Sequence, residues 1–290
     1  MSFRTISITN RCKLSHSLNY LVIRGEEEKR IHLSEIAKLI IQSTQVAITS
    51  SLMAELSSRK IKLIICNNKH NPEAELVSYY GAHNSSQRIF EQIHWNAEFL
   101  PVIWQKIVQL KISNQGHVLA KHGHHEKAQQ LFNYATEVEF GDRSNREGHA
   151  AKVYFNSLFG MGFSRSKEND INAYLNYGYT ILLSMFNREI SAKGYLTQIG
   201  IHHRNEYNDF NFSCDLMEPL RPIVDDYACS GVLTSENFRS KLNNLGTLSL
   251  VYDQKKTYLE YAISLYVQDV IRAINQQDVN YIINFESYEL

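Results

Sequence analysis

The chain has 290 residues, 30 lysines and arginines against 30 aspartates and glutamates, and 43% apolar content, which excludes disordered, collagen-like and coiled-coil architectures. That length suits one large or two modest domains. No apolar run approaches the roughly 20 residues of a membrane span, and Met1-Ser2-Phe3-Arg4 lacks a signal-peptide layout, so a soluble intracellular protein with no membrane contact is expected.

In chain order, short β-type runs are predicted at 5–9, 18–24, 30–33, 38–41, 61–66 and 75–80, from alternation and turn residues such as Gly25. Between them, 49–59 predicts a helix with Leu52, Met53 and Leu56 on one face. The segment 67–72 predicts a loop, and Gly81 to Ser86 (GAHNSS) a polar linker. From Gln87 the apolar spacing becomes helical, at Ile89 and Ile93, then Ile103, Ile107 and Leu110, with Pro101 breaking or kinking the run. Further helices are predicted at 126–134, 147–158, 169–187, within 216–228, at 235–242 and from 248 to about 275. The expected fold class is therefore α+β: a small β-rich N-terminal domain (1–80), a linker (81–86) and a larger all-α C-terminal domain (87–290). The tail from 278 has no assigned element.

Cys12, Cys66, Cys214 and Cys229 are far apart and read as buried thiols, not as a zinc knuckle or a disulfide framework. The neutral total hides an asymmetry: residues 1–80 carry 11 basic and 7 acidic side chains, leaving 19 and 23 for the rest. Between 143 and 193, seven basic residues face four acidic ones. Such a local excess suits either phosphate binding or a solvated helical surface.

The sequence contains no GxxxxGK[ST], GxGxxG after a strand, GxSxG or HExxH, which removes the common nucleotide, dinucleotide, serine-hydrolase and zincin chemistries. His122-Gly123-His124-His125 suits either a metal or a solvated loop at a helix start. His149 points away from Glu147 on a helix and is read as structural. In the segment 141–155 (GDRSNREGHAAKVYF), Glu147 opens a helix followed by small residues, and alone it suits a helix N-terminal charge as well as a ligand. In a second segment Gly200-Ile201-His202-His203 precedes Cys214-Asp215-Leu216-Met217-Glu218-Pro219-Leu220-Arg221-Pro222, which places an imidazole and a carboxylate 15 residues apart.

These two segments, with Asn172-Ala173-Tyr174-Leu175-Asn176-Tyr177-Gly178-Tyr179 between them, resemble the CRISPR-associated spacer integrase family, the catalytic subunit of the adaptation complex, over the whole chain. EGHAAKVYF, LNYGYTIL and DLMEPLRP look most like the branch that accompanies type II-A systems. The resemblance implies Glu147, His203 and Glu218 as catalytic metal ligands, holding Mg²⁺ or Mn²⁺ as an open site of two carboxylates, one imidazole and water. His202 stands where the family is usually apolar, and Thr197 where it usually has proline.

The implied reaction joins the 3′-hydroxyl ends of protospacer DNA to the repeat of a CRISPR array by transesterification, without a protein nucleophile. A stand-alone metal-dependent nuclease for branched DNA and a non-catalytic DNA-binding assembly subunit are the alternatives. Asp215 is a candidate support behind the ligands, or a helix N-cap. Arg146, Lys152, Arg165, Lys193, Arg204 and Arg221 are candidate phosphate contacts. Implied partners are double-stranded DNA, a second copy joined through the β-rich domain, and a small ferredoxin-like adaptation protein bridging two dimers. A type II-A effector nuclease and a ring-shaped DNA-end-binding protein act in the same process, and the setting is the prokaryotic cytoplasm.

Overall fold

Six-residue β5 (Ile36–Ile41), apolar except for Lys38 and buried along its whole length, organises the N-terminal region. A strand buried on both faces needs neighbours on both edges, and it lies parallel to β1 (Arg4–Ile8) and to β7 (Lys62–Cys66). Antiparallel β8 (Pro72–Leu76) closes this four-stranded sheet, with its proline at the first position of an edge strand. A second four-stranded sheet runs β4 (Glu28–His32), β3 (Tyr20–Arg24), β2 (Cys12–Ser17), β6 (Val46–Ile48). Helix α1 (Ser50–Ser58), capped by the Thr49 hydroxyl accepting from Leu52 N–H, leads from β6 toward β7. Leu14, Leu21, Leu39, Leu52, Leu56 and Leu63 form the centre of this core.

The computed structural model describes residues 4–68, 70–76 and 84–288, side chains of 286 and 287 excepted. The chain divides into two compact units, Met1–His83 and Asn84–Leu290. The expected linker overlaps residues 81–83 and the expected strand 75–80 overlaps 77–80, which lie outside the described residues. Helix α2 (Ser85–Ile93) begins inside the expected linker. Among the described residues no helix is long and apolar enough to cross a membrane.

The second unit is built round α3 (Leu100–Lys121), a 22-residue helix. Pro101 sits in its first turn, where a missing N–H costs nothing, so the proline starts this helix and does not kink it. Around it stand α4 (His125–Thr136), α5 (Arg146–Phe159), α6 (Asp170–Ala192), α7 (Asn211–Met217), α8 (Arg221–Cys229), α9 (Phe238–Asn243) and α10 (Leu259–Gln276).

The expectation of an all-α second domain is corrected by a three-stranded antiparallel sheet, β10 (Lys255–Tyr258), β9 (Ser249–Tyr252), β11 (Phe285–Tyr288). The single helix expected from 248 starts only at Leu259, because Asp253 and Gln254 both take positive φ and turn the chain back as a two-residue hairpin. The tail returns as β11 along β9. The cysteines are corrected too: only Cys66 is buried, and Cys12, Cys214 and Cys229 are half-buried free thiols.

Gly178 marks where α6 and α8 come closest. A Cβ there would meet Val224 Cγ1 at 2.4 Å. Gly178→Ala is therefore expected to destabilise the protein by about 1–3 kcal/mol through overpacking, measured by urea unfolding. An unchanged midpoint would show that the two helices separate freely.

Candidate active site

Three separate segments bring carboxylates to one face of α3. The first is the turn before α5. Gly141, Asp142 and Asn145 all have positive φ, a run that short polar residues and glycine tolerate. The Asp142 carboxylate then accepts from the N–H groups of Arg146 (2.8 Å) and Glu147 (3.2 Å), and Asn145 accepts from Gly148 N–H (3.2 Å). Glu147 is thus fixed in the first turn of α5, and the sequence reading missed Asp142 as the residue that fixes it.

The second segment is the short 3-10 turn Glu218–Leu220 between α7 and α8. Pro219 and Pro222 stiffen it, and Asn114 of α3 donates to the Pro219 carbonyl at 2.7 Å. Glu218 is buried, and its Oε1 lies 3.0 Å from Arg221 Nε.

Between these carboxylates stands Lys111 of α3, which the sequence reading did not single out. Its Nζ lies 2.5 Å from Glu147 Oε1 and 2.5 Å from Glu218 Oε2, with only 12% of the side chain exposed. Burial alone would raise the Glu218 carboxyl, but Lys111 and Arg221 outweigh it and hold it below the ordinary carboxylate value. Burial likewise works against the Lys111 ammonium, and Glu218 and Glu147 overcome it and raise its value. The available signal was the sequence around Lys111: buried Leu110 and Ile112 flank it, and buried Asn114 and Gln115 follow, polar groups with no place on a plain core helix.

The third segment holds the histidine. Asp215, fully buried within α7, accepts from the N–H groups of Ile201 (2.6 Å), His202 (2.9 Å) and His203 (3.2 Å), and its Oδ1 lies 2.5 Å from His203 Nδ1. Because a carboxylate only accepts, Nδ1 carries the proton and Nε2 is the ring nitrogen left for another partner. The alternative reading of Asp215 as a helix N-cap is corrected: it lies inside α7 and holds a loop instead. Gly200 permits this approach, since a Cβ there would lie 2.7 Å from Asp215 Oδ2.

The hydrogen bond to Asp215 holds the His203 imidazole above the usual histidine value, and the negative charges of Glu218 and Glu147 act in the same direction. His202 stands where the family is usually apolar, yet it is exposed and stacks on Trp104, with ring centroids 4.3 Å apart and planes within 3°, while His203 meets the same indole edge-on at 5.6 Å.

Among the described residues no three histidine, cysteine, aspartate or glutamate side chains are gathered closely enough to hold a metal as they stand. The donor chemistry nevertheless fits a hard divalent ion. Glu218 Oε2 is buried and lies 2.5 Å from the Lys111 ammonium, in a place suited to a cation. Glu147 and Glu218 already share one cation, and His203 presents an oriented imidazole beside them.

Behind the site, Tyr179 of the middle motif donates to buried Asp225, and the Arg165 and Arg221 guanidinium groups lie 5.3 and 4.8 Å from the Tyr179 ring centroid. Burial pushes Asp225 up from 3.8 to about 6, against the lowering pull of Tyr179 and Arg221. The folded state thus keeps its proton up to about pH 6, where the unfolded chain has already lost it near 3.8, and stability falls as pH rises between those values. Asp225→Asn removes this loss. The variant's stability relative to wild type is expected to improve from pH 4 to pH 7.5 by up to about 3 kcal/mol in denaturant unfolding, and a flat difference would contradict the assignment.

The six candidate phosphate contacts separate. Arg146 pairs with Glu137 (2.8 Å) and covers the Tyr134 ring, and Arg165 donates to Asn172 and Asn176 at 2.5 and 2.6 Å. Lys193 reaches Ser264 at 3.3 Å, and Arg221 pairs with Glu218. Lys152 and Arg204 are exposed. The histidine-rich stretch joins α3 to α4, where His122 Nε2 lies 2.7 Å from Asp226.

Comparison with known proteins gives a consistent picture. The family described as CRISPR associated protein Cas1 matches residues 6–262. The chain is 35% identical to the CRISPR-associated endonuclease Cas1 of Neisseria meningitidis serogroup C (strain 8013), over 78% of this chain and 74% of that one. It is 28% identical to CRISPR-associated endonuclease Cas1 1 of Francisella tularensis subsp. novicida (strain U112), over 71% of each. Among solved structures, a casposase bound to integration product shares the fold with TM-score 0.76 and 18% identity, over 96% of this chain and 93% of that one. A Cas6-RT-Cas1–Cas2 complex matches with TM-score 0.75 and 18% identity, over 97% of this chain and 36% of the other, longer one.

Proposed function

The chain belongs to the CRISPR-associated protein Cas1 family, and from that premise we propose that it is a metal-dependent DNA integrase of CRISPR adaptation, with Glu147, Glu218 and His203 as its catalytic ligands. The observation that carries this reading is the pairing of Glu147 and Glu218 on one cation beside an imidazole whose tautomer Asp215 fixes. A divalent ion bound there supplies Lewis acidity toward a DNA hydroxyl and a phosphodiester.

The chain's own residues do the rest. Asp215 keeps the proton of His203 on Nδ1 and so leaves Nε2 to bind. Asp142 and the prolines around Glu218 hold the two carboxylates still, which matters because a misplacement of about 1 Å can cost about 10²-fold in rate. The attacking group belongs to DNA: a 3′-oxygen bonds to a repeat phosphorus, the repeat's own P–O3′ bond breaks, and a new 3′-hydroxyl leaves. The same donor set serves hydrolysis when water replaces the 3′-hydroxyl, in keeping with relatives named as endonucleases and a fold neighbour solved on an integration product.

The proposal includes double-stranded protospacer and repeat DNA, with the exposed Lys152 and Arg204 as its phosphate contacts. It also includes the partners implied by the type II-A resemblance: a second copy, a small ferredoxin-like protein bridging two dimers, an effector nuclease and a ring-shaped DNA-end-binding protein. In β3 and β7, Leu21, Val22, Leu63 and Ile64 are buried within one chain, while Tyr20 and Ile65 are exposed and leave apolar surface for the second copy.

The test is the transfer of a labelled 3′-hydroxyl fragment into a repeat-containing plasmid. Joining that requires Mg²⁺ or Mn²⁺ is expected. Nicking without joining would mark a nuclease, and neither would mark an assembly subunit.

A further inference from the structure

We propose that Lys111 is an internal competitor of the divalent ion: its ammonium occupies the cation position between Glu147 and Glu218 and has to withdraw for the ion to enter. This inference rests on the reading of those two residues as ligands.

Lys111 is not a surface lysine reaching inward. It lies in the middle of α3, its side chain is nearly covered, and its Nζ touches the inward oxygen of each carboxylate at 2.5 Å. An ammonium at that distance and a divalent ion at coordination distance cannot share the same two oxygens. The pair of carboxylates also needs some cation: Glu218 is buried, and two like charges on either side of Lys111 would otherwise push apart or take up a proton. Arg221 cannot fill the gap, because its guanidinium is on the other oxygen, Glu218 Oε1.

Lys111 therefore has two effects. It keeps the site assembled before the ion binds, and it sets the concentration of ion required. Its amine stays on a long, flexible stem, so withdrawal needs only rotamer changes and no movement of α3.

The experiment titrates the full-length, metal-free protein with Mn²⁺ in the absence of DNA, and free Mn²⁺ is read by electron paramagnetic resonance. Removing the competing charge in Lys111→Met is expected to tighten Mn²⁺ binding by about tenfold. The same variant should melt at a lower temperature than wild type without metal and regain more of the difference when Mn²⁺ is added. Equal or weaker Mn²⁺ binding by folded Lys111→Met would overturn the proposal.

Should that variant not fold, wild type decides. Brief acetylation with acetic anhydride, followed by peptide mass spectrometry, should modify Lys111 severalfold faster with Mn²⁺ than without, while other lysines stay constant. Unchanged or slower labelling of Lys111 overturns the proposal. Failure of the underlying reading looks different. Wild type would then bind no Mn²⁺, or Glu218→Gln would leave binding unaltered, and both conclusions would fall together. Binding that is lost in Glu218→Gln but not tightened in Lys111→Met removes only the competitor.

Discussion

Asp215→Ala is expected to cost about 3 kcal/mol of stability and to lower joining by at least about 10²-fold. The fully buried carboxylate accepts from three consecutive N–H groups and from the His203 ring, so alanine leaves several buried donors without a partner. Loss of the carboxylate also frees the imidazole to rotate and to choose its tautomer. Asp215→Asn separates the two effects. The amide oxygen still accepts from the loop, so much of the stability should return, while the raised pKa of His203 should fall because its first cause is gone. Urea unfolding and a histidine NMR titration read the two quantities independently. A His203 titration unmoved in Asp215→Asn would contradict the assigned contact.

Glu147→Ala is expected to abolish joining while DNA affinity holds or rises. Glu147 is part-exposed, and Lys111 keeps Glu218 as its second partner, so the fold should survive. Removing a negative charge near the path of phosphates favours binding, whereas losing a ligand carboxylate lowers the rate by at least about 10²-fold. Filter binding and joining, measured on one preparation at one salt concentration, give both numbers. If binding and joining fell together in a folded protein, Glu147 would belong to the DNA grip and not to the chemistry.

What was legible in the sequence follows from how each element buries itself. The run 38–41 reads as a strand because Leu39, Ile40 and Ile41 are apolar in succession, and α1 because Leu52, Met53 and Leu56 share a face. Strand β2 escaped because only Leu14 of its six residues is buried, so it has no apolar alternation to read. The hairpin of β9 and β10 escaped because β10 is nearly all polar and its turn uses Asp253-Gln254 without the glycine that usually marks such a reversal.

The site divides in the same way. Glu147, His203 and Glu218 came from motifs, each within a short stretch. Lys111 lies 36 residues before Glu147 on a long helix, and only the packing of α3 against two distant turns shows what it touches. Asp142 and Asp215 act by holding backbone, a role with no sequence pattern of its own beyond a carboxylate near a turn.

That His203 completes the carboxylate pair is decided by comparing His203→Ala with His202→Ala in the metal-dependent joining assay. The two imidazoles are adjacent, both exposed and both in contact with Trp104, so each substitution removes one exposed ring from the same indole. Only the His203 ring is held by Asp215, and Glu218 and Glu147 add to the rise that this bond gives its pKa. His203→Ala should join at least about 10²-fold more slowly, with DNA binding intact, and His202→Ala should remain within a few-fold of wild type. Inactivation by His202→Ala in a folded protein, with His203→Ala still active, would contradict it.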